Sequence, residues 1–193
     1  MNLTQGTVKE KNDRAKKMML YFGIVSLIMA FAGWTSAYIV SRSREDWLSQ
    51  IELPNSFLIS TAIIVLSSFT YILAKKAIQK NNRRLCSAML WSTLGLGIAF
   101  IVMQFRGFEE MLGNGYFFTG PTSSIKMSYV FLIAAVHITH LVAGLISLLV
   151  VLFHHSKGEY TAEEHLGLSL GATFWHFLDI LWVYLMLFMT FVK

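Results

Sequence analysis

The sequence holds one cysteine, Cys86, and across its five longest apolar runs a single Asp, Glu, Lys or Arg, which is Asp179. A lone cysteine excludes a disulfide framework, a C-x-x-C pair and a covalent haem-attachment motif. The scarcity of charge, 14% of residues against 55% hydrophobic, is wrong for a soluble fold and right for a membrane protein. No small-residue cleavage site precedes the first run, so the polar segment 1–17 reads as a retained arm, not a removable signal. Internal repeats and low-complexity stretches are also lacking. "LGLGIAF" has no third glycine and lies inside an apolar run, which removes it as a dinucleotide turn.

What is there is length. Five runs, Met18 to Val40, Phe57 to Ala74, Cys86 to Phe105, Ser128 to Phe153 and Leu168 to Val192, each approach the span of a bilayer-crossing helix. Backbone groups in hydrocarbon must be satisfied internally, and alternating ten-residue strands are missing, so the expected fold is all-α and polytopic. The expected organisation is an arm over 1–17 and one five-helix domain over 18–193.

The formal charge of +5 raises nucleic acid as a partner, but the basic residues follow membrane topology instead. The arm and the loops 75–85 and 154–167 hold eleven Lys and Arg, and the opposite loops with Lys193 hold five. The positive-inside rule then puts the N-terminus in the cytoplasm and the C-terminus outside, as an odd number of spans requires.

The loops are short and carry turn residues, as in "LPNS", "GNGYFFTGPTSS" and "HHSKGEYTAEEH". Thr161 followed by Glu164 reads as a capping box, which predicts a fifth helix starting near Ala162. Small or polar residues recur at helical spacing in four spans: Gly23, Ser26, Ala30, Gly33 and Ala37; Ala88, Ser92, Gly95 and Ala99; His137, His140, Gly144 and Ser147; and Ser169, Ala172, His176 and Asp179. Such stripes predict close helix packing, with the polar groups in seams between helices.

A carboxylate at the centre of a membrane helix costs on the order of 2.5 to 3.5 kcal/mol, so Asp179 needs compensation. By helical rise His137 lies roughly 14 Å below the outer end of its span and Asp179 roughly 17 Å above the inner end of its own, which puts them at similar depth. His140 then comes level with His176. The expected arrangement pairs His137 with Asp179 and His140 with His176. Its plainest reading is polar glue between packed helices; a proton relay, a lipid-headgroup contact and a haem site are the functional ones. Two facing membrane histidines are a usual haem ligand set, but no Arg lies inside the spans to meet propionates. His154, His155 and His165 form a second histidine group near Glu159, Glu163 and Glu164, read first as a solvated patch, with a metal cluster and a proton-collecting surface as the functional alternatives.

The stretches "QFRGFEE", "SYVFLIAAVHITHLVAGLISLLVVLF" and "HHSKGEYTAEEHLGLSLGATFWHFLDILWVYL" resemble the cytochrome c oxidase subunit III family of haem-copper respiratory oxidases. Its pattern is matched in order by Gln104 and Glu110, then His137, His140 and Gly144, then Trp175, His176, Phe177, Asp179 and Trp182. The resemblance extends over residues 15–193 and is to the five-helix form. It departs at one place: the family often has a buried glutamate after a serine in the first span, and here Ser26 is followed by Leu27.

The resemblance implies a subunit with no catalytic centre or metal of its own, lying against the haem- and copper-bearing catalytic subunit and other oxidase subunits. It implies bound phospholipid, support of proton uptake during oxygen reduction to water, and a multi-pass place in a bacterial-type plasma (inner) membrane. Related subunits in quinol oxidases and nitric oxide reductases are the near alternative. A small haem-b carrier or a proton-coupled transporter is the alternative from another class, although a transporter should show repeated halves.

Overall fold

Three helix starts are fixed by side-chain oxygens set on free backbone N–H groups. Thr7 accepts from Glu10 while the Glu10 carboxylate accepts from the Thr7 backbone, Asn82 accepts from Leu85, and Ser124 accepts from Met127. In the computed structural model these caps open α1 (Val8–Ser41), α3 (Arg83–Gly113) and α4 (Ile125–Ser156). With α2 (Asn55–Gln79) and α5 (Leu166–Phe191) they make five helices among the described residues, all long and apolar enough to cross a membrane. The structure describes residues 6–44, 47, 53–120 and 123–192. The start of the arm, Pro121 and Thr122 of the third connection, and Lys193 therefore lie outside the described residues.

The helices overrun the apolar runs. The arm is helical from Val8 and continuous with the first span, and α3 and α4 each extend beyond their runs at both ends. The α2–α3 turn is made by Asn81 at φ 56°, a left-handed conformation that asparagine tolerates. This places α2 and α3 side by side along their length, with α5 against α2 and α4, and α1 on the outside against α4 and α5.

The fifth helix starts at Leu166, not near Ala162. The Thr161 hydroxyl does accept from the Glu164 backbone, but the Thr161 N–H donates to the Glu164 carbonyl and the Glu164 carboxylate pairs with Lys9. Those contacts close a turn and leave no reciprocal box.

Two of the four small-residue stripes do not lie in seams. Gly23, Ser26, Ala30 and Gly33 of α1 are exposed, as are Ala88, Ser92 and Gly95 of α3. No other atom lies within 4 Å of where a Cβ on Gly23, Gly33 or Gly95 would sit. The reason is that α1 meets the bundle through larger side chains, burying Phe31, Thr35 and Tyr38 in its second half, and α3 turns Leu90, Phe100 and Gln104 inward. Large side chains make more packing contacts than small ones, and in lipid it is contact, not area removed from water, that decides the azimuth.

The α4 and α5 stripes are in the seam. A Cβ on Gly144 would come 2.8 Å from Leu178 Cδ1, and one on Gly97 would come 2.7 Å from the Trp175 ring. Glycine at these two positions lets α3, α4 and α5 close around Trp175.

Candidate functional site

The polar residues of α2 organise the interior. Ser56, Ser60 and Ser67 are buried on one face, with Thr61 and Ser68 beside them. Ser60 and Thr61 donate their hydroxyl protons to the Phe57 carbonyl, and Ser67 donates to that of Ile64. Each oxygen is then free to accept from a neighbouring helix. Gln104 Nε2 of α3 donates to Ser60 at 3.0 Å, Trp182 Nε1 of α5 to Thr61 at 3.0 Å, and Trp175 Nε1 to Ser67 at 2.9 Å. At one end Ser56 donates to the Glu110 carboxylate, and toward the other Thr70 meets Thr93 at 2.8 Å. Hydroxyls on one helix thus meet the side chains of two others over about 21 Å of rise.

Asp179 belongs to this column and not to α4. The Ser68 hydroxyl donates to Asp179 Oδ2 and lies 2.9 Å from His176 Nδ1. With its proton on the carboxylate, Ser68 accepts from the ring, which fixes the Nδ1–H tautomer. Asp179 Oδ1 has no partner in the chain.

The expected pairs do not form. His137 is fully buried, but both ring nitrogens lack a hydrogen-bond partner, and the ring packs 5.0 Å from Trp182, 6.0 Å from Phe100 and 6.4 Å from Phe31. His140 is bonded to its own helix, Nδ1 to the Val136 carbonyl at 2.8 Å, and lies against Phe31. The helical rise gives height and not azimuth: His137 is level with the turn holding Trp182, while the Asp179 carboxylate points to α2.

The remaining residues singled out from the sequence fall in separate places. Gln104 is buried, Glu110 caps the column, Gly144 sits under Trp175 and Leu178, and Phe177 is half-buried beside the core. The loop histidines do not make one patch. His154 pairs with Glu159 at 2.6 Å on the surface; His155 is buried with Nε2 3.3 Å from the Arg83 carbonyl and Nδ1 3.9 Å from Cys86 Sγ; His165 stands at the start of α5. Among the described residues no three His, Cys, Asp or Glu side chains are grouped to hold a metal.

The six α2 hydroxyls, Ser56, Ser60, Thr61, Ser67, Ser68 and Thr70, are the site residues missed in the sequence. Their signal was the 4- and 7-residue spacing of Ser56, Ser60 and Ser67 within the second run.

Because α1 buries side chains only along its second half, its first half leaves a cleft of about 470 Å³ against α4 and α5. Leu20, Val150, Leu170 and Phe174 line its apolar depth, and Lys16, His154, Glu159 and Tyr160 its rim. The Lys9–Glu164 ion pair ties the tip of α1 back to the loop before α5.

Residues 46–192 match the family described as cytochrome c oxidase subunit III. The chain is 36% identical over 132 residues to the cytochrome bo(3) ubiquinol oxidase subunit 3 of Pseudomonas aeruginosa, covering 68% of this chain and 61% of that protein. It is 35% identical over 132 residues to the probable cytochrome c oxidase subunit 3 of Rickettsia prowazekii, covering 67% of this chain and 45% of that protein. To the cytochrome c oxidase subunit 3 of Thermostichus vulcanus it is 27% identical over 166 residues, 84% of this chain and 80% of that one. The chain thus spans about half to three-fifths of the first two relatives and most of the third. Gln104, Glu110, Trp175, His176, Asp179 and Trp182, gathered on α2, are among the residues that carried the resemblance in the sequence, and with a family match over most of its length the chain belongs to the cytochrome c oxidase subunit III family.

Proposed function

We propose that the chain is the non-catalytic subunit III of a proton-pumping haem-copper terminal oxidase in a bacterial plasma membrane, supporting assembly and proton uptake of the catalytic subunit. Haem and copper belong to that partner. The observation that carries this is the α2 column: the polar groups of the membrane interior hold the helices together. His137, the one fully buried histidine, is enclosed by aromatic rings.

The arm and the loops 75–85 and 154–167 lie at the same end of the bundle, and their eleven basic residues support a cytoplasmic N-terminus and an external C-terminus. A cysteine at Lys80 is then labelled from the cytoplasm and one at Phe118 from outside. The α1 cleft suits a phospholipid, with tails along Leu20 and Phe174 and the headgroup phosphate at Lys16. His154 and Glu159 at its rim, with Glu163 nearby, are the residues through which the loop takes part in proton uptake.

A ubiquinol-oxidizing complex is the second reading, favoured by the name of the Pseudomonas relative. One experiment tests both: co-purification of the tagged chain in mild detergent. A haem-copper catalytic subunit in stoichiometric yield supports the reading, and its haem and copper content with the electron donor it oxidizes separates the two complexes. A chain that purifies alone, or with its own haem absorbance, contradicts it.

A further inference from the structure

The two halves of α1 are held very differently. Phe31, Thr35 and Tyr38 are buried in its second half, whereas no residue from Val8 to Ala30 is buried. Polar contacts fasten the second half as well, Tyr38 to the Val192 carbonyl at 3.1 Å and Ser41 to Tyr129 at 3.0 Å. The first half borders the cleft, to whose lining it gives Lys16 and Leu20. In lipid nothing drives two apolar helix faces together, because acyl tails replace the contact when they part. Gly23 and Gly33, with no atom within 4 Å of a Cβ placed on either, weaken the helix further where packing does not support it. Polar contacts at the tip therefore decide whether this half lies against α4 and α5 or stands away.

The tip is organised for such a contact. The Thr7–Glu10 capping box fixes the first turn of α1 and with it the position of Lys9. Glu164 is fixed in the turn it closes with Thr161, and the two side chains pair across 155 positions of sequence. The space between tip and loop, about 450 Å³, is lined by Lys9 and Lys16 from α1 and by Glu159, Glu163 and Glu164 from the loop, with Asp13 the acidic group on α1 itself. Opposite charges thus meet across the mouth of the cleft. Lys9 and Glu164 are 65% and 63% exposed, so their pair is weak, screened by salt and easily parted.

We infer that the first half of α1 is a hinged strap over the cleft, latched by Lys9 on Glu164 and able to swing about the anchored Phe31–Tyr38 segment when the latch parts. The strap is read from the fold; that it retains a phospholipid rests on the proposed function.

Spin labels on Lys11→Cys and Lys80→Cys, at the tip of α1 and the near end of α2, report the swing in the purified complex reconstituted in nanodiscs; the native Cys86 is buried. At low salt the wild-type latch should give one dominant, narrow distance. Lys9→Glu should lower the ratio of closed to open populations about threefold, and molar salt should do the same to the wild type. The exchange Lys9→Glu with Glu164→Lys should restore the closed distance. An identical distribution in every variant and at both salt levels, or an exchange that stays open, overturns the strap. A chain that does not co-purify removes the proposed function, and the same distances read from it alone in nanodiscs still decide the strap. Phospholipid retained through a detergent wash, counted by native mass spectrometry, should fall with Lys9→Glu and return with the exchange. Equal retention in all three chains overturns the strap's part in holding lipid.

Discussion

Ser68 of α2 donates its hydroxyl to Asp179 of α5, and the same oxygen takes the Nδ1 proton of His176, one turn earlier on α5. One small side chain therefore satisfies two polar groups in the middle of the bundle and fixes the height of α5 against α2. Trp175 on Ser67 and Trp182 on Thr61 repeat the contact above and below. A helix pair in lipid gains little from apolar burial, so such hydrogen bonds and close packing set its register.

His137 makes no hydrogen bond and is enclosed by rings, so its polarity contributes nothing favourable to the fold. His137→Leu should leave thermal stability unchanged or raise it by up to about 1 kcal/mol. Combined with Asp179→Leu, the effects should add. A strong coupling in the unfolding midpoints would show that the two side chains meet.

Gly144 is where α4 touches Leu178. Gly144→Val requires the helices to separate or Leu178 to leave its rotamer, at a cost of about 1–3 kcal/mol. Gly23→Val, on the outward face of α1, should leave the melting temperature of the isolated chain unchanged. Equal effects at the two positions would contradict the packing described.

Tyr160 lies outside the spans at the rim of the cleft, where burial, then the nearby Glu159 carboxylate, raises its phenol above the usual value of about 10. A folded-state value above the unfolded one means a contribution fully present below pH about 10 and lost as the pH rises through the folded value. Tyr160→Phe should remove one group from the late part of an alkaline titration of tyrosinate absorbance. An unchanged late component would place it elsewhere, on a tyrosine within the spans.

The five helices and the chemistry-bearing residues were legible because long apolar runs and a mid-membrane carboxylate have few physical readings. Asp179, Trp175 and Gln104 stood out from the sequence, but their partners did not. A hydroxyl in a membrane helix can bond its own carbonyl three or four residues back, so Ser60, Thr61 and Ser67 look like filler in a sequence. Helical rise placed His137 and Asp179 at one height and was silent on which neighbour each faces. The two T-x-x-E segments show a similar limit: Thr7 and Glu10 close a capping box, whereas Glu164 is drawn to Lys9, a residue 155 positions away.

The bridge at Ser68 is tested most directly by a cycle of Ser68→Ala, Asp179→Leu and both, comparing unfolding midpoints of the isolated chain and its recovery in the purified complex. Ser68→Ala strands Asp179 Oδ2 and His176 Nδ1 together, at about 1–3 kcal/mol for each group; Asp179→Leu leaves Ser68 and His176 bonded to one another. The predicted order is that Ser68→Ala is the most damaging, Asp179→Leu the mildest, and the double variant recovers part of what Ser68→Ala loses. Additive losses, or a Ser68→Ala chain as stable as wild type, would contradict the role of the α2 hydroxyls as the lock of this bundle.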